Sequence, residues 1–159
     1  MHEINSPWVL WYHSIKDKDW SKKSYRQIFK ITDLMEMFLL HDITKPSHLQ
    51  NGIFFLMREG IFPIWEDPEN RNGCCISFKI PCSSIQKEWS RVITQCVTEN
   101  ILKNVDEYKI LNGISISPKR EFNIIKIWLR RDIKDYTTIL KEYPPFLISQ
   151  ASLYKKNLT

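Results

Sequence analysis

Trp65 and Glu66 stand side by side in "GIFPIWEDPENRNG", residues 60–73, a turn-rich segment where small polar residues are the ordinary choice. An indole face attracts cations, and a carboxylate accepts hydrogen bonds from N–H donors. The pair therefore suits a flat, positively charged ring with donors along one edge. A tryptophan in a connecting segment also plugs the rim of a core, and these residues alone leave both roles open. A second tryptophan, Trp20, lies in the charged run "KDKDWSKKS", which reads as a solvated loop. The others are Trp8, Trp11, Trp89 and Trp128, making six in 159 residues, more than packing alone explains.

Glu66 and Asp67 are also the obvious candidates for catalytic carboxylates. Hydrolysis of a phosphoanhydride generally needs a cluster of metal-binding carboxylates, and no glutamate-rich helix of that kind occurs. Binding without catalysis, cofactor or metal is the expectation. Cys74, Cys75, Cys82 and Cys96 fit neither a zinc-knuckle spacing nor a secreted disulfide framework, so reduced, structural thiols are expected. The formal charge of +5 favours an anionic partner such as a nucleotide or an RNA end. A general single-stranded RNA module would share the basic loops and aromatics, but a carboxylate beside the platform tryptophan repels phosphate and selects a donor edge.

The elements that must hold these groups are legible in outline. Residues 1–159 are long enough for one core and too short for two ordinary domains, so a single domain is expected. "MHEINSPW" has no signal-peptide character and no segment reaches membrane-spanning length, which predicts a soluble cytoplasmic protein with no membrane contact. "WVLWYHSI", "YRQIFKI", "GIFFLMREGIF", "CCISFKI" and "PPFLISQASLY" read as strands, and "GISISPK" with "EFNIIKIWLR" reads as a hairpin around Lys119 and Arg120. "TDLMEMFLLHDI" reads as a helix with Asp33 and Glu36 at capping-box spacing, too apolar all round for one buried stripe. Residues 84–102 carry apolar groups at helical spacing with Trp89 on the buried stripe, and "DYTTILKEY" could form a short helix. The order suggests an α+β fold with one mainly antiparallel sheet and helices on one face.

Four blocks in order resemble the translation initiation factor 4E family, the mRNA 5′ cap-binding proteins: "WVLWY", "DKDW", "GIFPIWED" and "IIKIW". The resemblance implies a strongly curved sheet with about three helices on its convex back and the 7-methylguanosine cap on its concave front. It further implies that Trp20 and Trp65 sandwich the methylated base, each face worth about 1–3 kcal/mol by analogy with base stacking. Glu66 would accept from the guanine N–H edge and the Trp65 backbone N–H would donate to the base oxygen. Trp128 would lie against the N-methyl group, and Lys119 would hold phosphate. Asp67 is expected to support its loop, and Trp8 and Trp11 to be structural.

The departures bear on the phosphates and on the partner face. Two positions that are basic in the family hold Cys75 and Ile124 here, and Lys126, on the same strand face as Trp128, is the expected replacement. On the back, the resemblance implies docking of the initiation scaffold, factor 4G, or of a 4E-binding repressor through an amphipathic helix. Phe38 replaces a family tryptophan, Leu34 precedes it by one turn to give an expected exposed ridge, and His2 and Ile4 extend the patch. Ser90 and Thr94 stand where the family has leucines, which predicts weaker docking. A cap-binding relative that sequesters mRNA without recruiting the scaffold is the alternative, and a cap-processing enzyme is a more remote one. A monomer is expected, and the short termini suggest a streamlined genome, cellular or viral.

Overall fold

The computed structural model describes residues 3–158. One seven-stranded sheet runs through it, built from β1 (Trp8–Ser14), β2 (Arg26–Ile31), β3 (Gly52–Arg58), β4 (Cys74–Pro81), β5 (Leu111–Pro118), β6 (Phe122–Leu129) and β7 (Ser152–Lys156). The strand order is β2-β1-β3-β5-β6-β4-β7 and every adjacent pair is antiparallel. Register shifts at Leu10/Trp11 and at Leu111/Gly113 mark bulges, which increase local twist and help to curve the sheet.

Strand alternation divides the side chains into two layers. Leu56, Ile76, Ile114 and Ile127 face the helices and join the main core with Trp8, Trp89, Ile93 and Cys96. Phe55, Met57, Cys75 and Trp128 point the other way and form a smaller cluster with Ile61, flanked by Trp11, Tyr25 and Ile53. The helices are α1 (Met37–Ile43), α2 (Pro46–Leu49) and α3 (Ile85–Val97), and α2 and α3 contact the central strands. The three-helix, antiparallel α+β expectation holds.

Several boundaries differ from the pattern reading. Residues 34–36 form a 3-10 turn before α1, capped by the Asp33 carboxylate accepting from the Met35 N–H at 2.7 Å. Glu36 accepts from Thr32, not from Asp33, so the expected box is shifted by one residue. The α3 helix stops at Val97 rather than at residue 102, because Glu99 takes a left-handed φ of 59°. Ile101 and Leu102 stay buried beyond that break, which is why the apolar periodicity overran it. "DYTTILKEY" supplies only the 3-10 turn Tyr136–Thr138, and the last strand is confined to β7.

The strain at Glu99 has a structural use. Its carboxylate meets Arg58 through two hydrogen bonds of 2.9 and 2.7 Å, and Arg58 also donates to the carbonyls of Leu111 and Tyr108 at 2.7 and 2.8 Å. The guanidinium lies 4.3 Å from the centroid of the Trp8 ring. Trp8 is thus core, and this buried node ties β1, β3, the exit of α3 and the entry to β5 together.

Candidate functional site

The face of the sheet away from the helices carries a cavity of about 360 Å³. Trp20, Trp65, Glu66, Lys119, Lys126 and Trp128, drawn from two loops and the β5–β6 hairpin, all line it. Tyr25, Phe55, Ser115 and Ser117 complete much of the wall. Trp20 is 53% and Trp65 39% exposed, so both rings present surface to a ligand. Neither Trp65 nor its neighbours plug the main core, which removes the rim-plug reading.

The Trp65 loop is held rigidly from beneath. Gly60 opens it with a φ of 91°, a conformation that side chains rarely adopt. The buried Asp67 carboxylate accepts from the Phe62 and Glu69 N–H groups at 3.0 and 2.9 Å, so its supporting role is visible. Asn70, fully buried, donates to the carbonyls of Phe62 and Ile64 at 3.1 and 2.9 Å. Asn112, in the β5 bulge, donates to the Asn70 side chain at 2.8 Å, and Asn157 donates to the Asn70 carbonyl at 2.8 Å. The Trp65 N–H has no protein acceptor among the described residues and is free to bind a ligand.

The Trp20 loop is held more lightly. Asp17 accepts from the Asp19 N–H at 2.9 Å and Asp19 from the Ser21 N–H at 2.8 Å, in two successive side-chain turns. That Ser21 N–H, then the Ser21 hydroxyl, holds the Asp19 carboxyl below its ordinary range. Behind the indole stands His13, whose ring stacks on Trp20 with centroids 3.8 Å apart and planes 4° from parallel. Fully buried His13 is itself fixed, with Nδ1 2.9 Å from the Ser14 carbonyl and Nε2 2.8 Å from the Asp19 carbonyl. Tyr25 packs edge-on against Phe62 at 5.3 Å and against Trp20 at 6.3 Å, bridging the two loops. Burial, then the Glu66 charge, pushes the Tyr25 phenol up from its usual value.

Trp128 forms the floor. It is 3% exposed, and its indole N–H donates to the Ser115 hydroxyl at 3.0 Å. Opposite it in register on β5 is Gly113, where a Cβ would stand 2.4 Å from the Leu56 carbonyl oxygen, so only glycine fits. Lys126 shares the face of Trp128 as the alternation predicts, and Lys119 closes the hairpin end. Burial lowers the Lys126 pKa; Cys75 acts in the opposite sense, and the charges of Lys119 and Lys155 lower it further. Burial pushes the Cys75 thiol up to about 12. All four cysteines are free; Cys74, Cys75 and Cys96 are buried and Cys82 is exposed. Among the described residues no group of three or more His, Cys, Asp or Glu could hold a metal ion, and no helix is long and apolar enough to cross a membrane.

On the helix-covered side the expected ridge is revised. Phe38 is 56% exposed beside Met35 and Leu39, whereas Leu34 is half-buried against the core. The 3-10 turn before α1 accounts for the difference, because it winds Leu34 off the face that an unbroken helix would give it. Leu34 instead lines a groove of about 260 Å³ with Ile4, Val97 and Val105. His2 lies outside the described residues. Ser90 and Thr94 are half-buried on α3, and the Thr94 hydroxyl donates to the Ser90 carbonyl at 3.1 Å. The sequence reading missed His13, Tyr25 and the asparagine network, none of which forms a local motif.

Known proteins resemble this chain along nearly its whole length. The family model described as eukaryotic initiation factor 4E matches residues 3–155. Eukaryotic translation initiation factor 4E of Eremothecium gossypii is 28% identical over 135 residues, covering 81% of this chain and 63% of that protein. A factor 4E homolog of Acanthamoeba polyphaga mimivirus is 36% identical over 70 residues, covering 44% of this chain and 26% of that protein. Among solved structures, Ascaris suum eIF4E-3 with m7G cap superposes with a TM-score of 0.73 at 21% identity, over 84% of this chain and 76% of that one. Schistosome eIF4E complexed with m7GpppG and 4E-BP gives 0.76 at 15% identity, over 86% and 76%. At those identities the structures establish the shared fold; the family match over residues 3–155 carries the assignment, and the chain belongs to the eukaryotic initiation factor 4E family.

Proposed function

We propose that the open-face cavity binds the 7-methylguanosine end of capped mRNA and that the helical face recruits the translation initiation machinery in the cytoplasm. The observation that carries the reading is the meeting of two exposed indoles, a carboxylate, a free backbone N–H and two lysines on one cavity of about 360 Å³. Methylation gives guanine a delocalised positive charge, so Trp20 and Trp65 attract both of its faces. Glu66 accepts from the ring and exocyclic N–H groups, the Trp65 N–H donates to the base oxygen, and Trp128 underlies the methyl group. Lys119 and Lys126 neutralise phosphate. Relatives solved with m7G cap and with m7GpppG and 4E-BP support both halves of the proposal.

Binding, not catalysis, is the function. Protein applied to immobilised m7GTP should be retained and released by free m7GTP, and GTP should not elute it. Capped dinucleotide incubated with the protein and magnesium should return intact; release of m7G nucleotides would identify a cap-processing enzyme. On the helical face, Phe38 with Met35 and Leu39 offers apolar surface to an amphipathic helix of factor 4G or of a 4E-binding repressor. The polar Ser90 and Thr94 favour weak docking. A scaffold-derived helical peptide that fails to bind, with cap binding intact, would point to a sequestering relative.

A further inference from the structure

The C-terminal strand brings a lysine to the site that no local motif announces. β7 is the edge strand beside β4, and Cys75 pairs in register with Lys155 on one side and with Trp128 on the other. Residues paired across antiparallel strands share a sheet face, so Trp128, Cys75 and Lys155 form one row on the open face. Lys155 Nζ lies 5.2 Å from the centroid of the Trp65 ring, and Lys126 Nζ lies 6.0 Å from it. Neither lysine, nor Lys119, makes an ion pair among the described residues. The neighbouring Lys156, by contrast, sits 3.9 Å from the Asp132 carboxylate.

Lys119 and Lys126 line the cavity and Lys155 stands beside its Trp65 wall, three ammonium groups against the single carboxylate of Glu66, so positive charge is in excess there. Burial first, and then the nearby charges of Lys119 and Lys155, act against the positive charge of the half-buried Lys126. Cys75 contributes no charge of its own, because its thiol is held protonated at neutral pH by burial. An aromatic face attracts one cation at a time. A methylated base stacked on Trp65 would therefore compete with the ammonium groups now beside that ring.

We propose that Lys155 is a phosphate-binding residue of the cap site, taking over from the basic side chain absent at Cys75, and that it moves from the Trp65 ring to the triphosphate when the charged base stacks. The inference rests on the cap-binding reading above. Its occupant is a polyphosphate chain, and its contribution arises only with ligands that carry one. Lys155 comes from the edge strand β7, whereas Lys119 comes from the β5–β6 hairpin.

The test measures association of m7GTP, 7-methylguanosine and inorganic tripolyphosphate across a salt series, for wild type, Lys155→Ala, Lys155→Arg and the control Lys156→Ala. Removing one lysine that neutralises a phosphate should reduce the slope of log K against log salt, because one attraction open to ionic screening is lost. Lys155→Ala should show that reduction with m7GTP and with tripolyphosphate, bind 7-methylguanosine at least as well as wild type, and be rescued by Lys155→Arg. Lys156→Ala should behave as wild type. An unchanged slope with equal losses for m7GTP and the bare nucleoside would make Lys155 a prop for Trp65 and overturn the proposal. If wild type bound no methylated ligand yet tripolyphosphate binding depended on Lys155, the anion site would stand and the cap reading would fall; if neither bound, both would fall.

Discussion

The two loops that present Trp65 and Trp20 are built on different principles. Beneath Trp65 lies a buried lattice in which Asp67 and Asn70 bond to backbone and Asn112 and Asn157 bond to Asn70. Those hydrogen bonds join the loop to the β5 bulge and to the residue after β7, so the loop is continuous with the sheet. Beneath Trp20 there are two exposed side-chain turns and one stacked histidine. A platform of the first kind is fixed before the ligand arrives; one of the second kind can adjust to it. For a flat ligand gripped from both sides, one fixed wall and one adjustable wall set orientation without blocking entry.

The strongest way to break this contrast is to damage the fixed wall. Asn70→Ala removes three side-chain hydrogen bonds, two to the Phe62 and Ile64 carbonyls and one from the Asn112 amide, each worth about 0.5–1.5 kcal/mol net, so unfolding free energy in urea titrations should fall by about 2–4 kcal/mol. The same measurement on Asp19→Ala, whose turn is exposed, should show a much smaller change. Equal losses would mean that the two loops are anchored alike.

A smaller effect is expected from removing the support behind the adjustable wall. His13→Ala deletes the ring stacked on Trp20, and an aromatic pair is worth about 0.5–1.5 kcal/mol, so m7GTP affinity should fall roughly 2- to 12-fold. His13→Phe restores a ring and should recover much of it, read by quenching of indole fluorescence. A His13→Ala protein with wild-type affinity would show that Trp20 needs no backing. Hydrogen exchange sharpens the comparison further: amides of residues 17–24 should exchange faster than those of residues 61–73 in the free protein and gain more protection with ligand.

The smallest effect is one of pH. The Asp19 carboxyl sits below its ordinary value of 3.8, so its stabilising contribution is present above that value and disappears as pH falls through the lower folded-state one. Trp20 emission should therefore change in acid before global unfolding, and Asp19→Asn should abolish that step. An acid step unaffected by Asp19→Asn would assign it elsewhere.

Much of this arrangement was legible in the chain. Runs rich in aromatic and branched residues marked the strands, and the Trp-Glu-Asp block, the late tryptophan strand and the hairpin lysine pointed to residues that share one cavity. What stayed hidden depends on tertiary meetings. His13 lies inside a strand pattern and gains its role only because the next loop folds Trp20 back over it. Asn70, Asn112 and Asn157 are far apart in sequence, and Lys155 reads as part of a lysine-containing tail until β7 pairs with β4. The α3 overrun and the displaced Leu34 share a cause: apolar spacing reports burial, and burial continues across a left-handed residue or a 3-10 turn that ends the regular helix.

Calorimetric titration of the protein with m7GTP and with GTP at matched ionic strength tests the central claim most directly. Cation–π attraction of roughly 0.5–2 kcal/mol at each indole face predicts m7GTP to bind at least about fivefold tighter, with that preference reduced in Trp65→Ala. Equal affinity for the two nucleotides would contradict a cation sandwich built from Trp20 and Trp65.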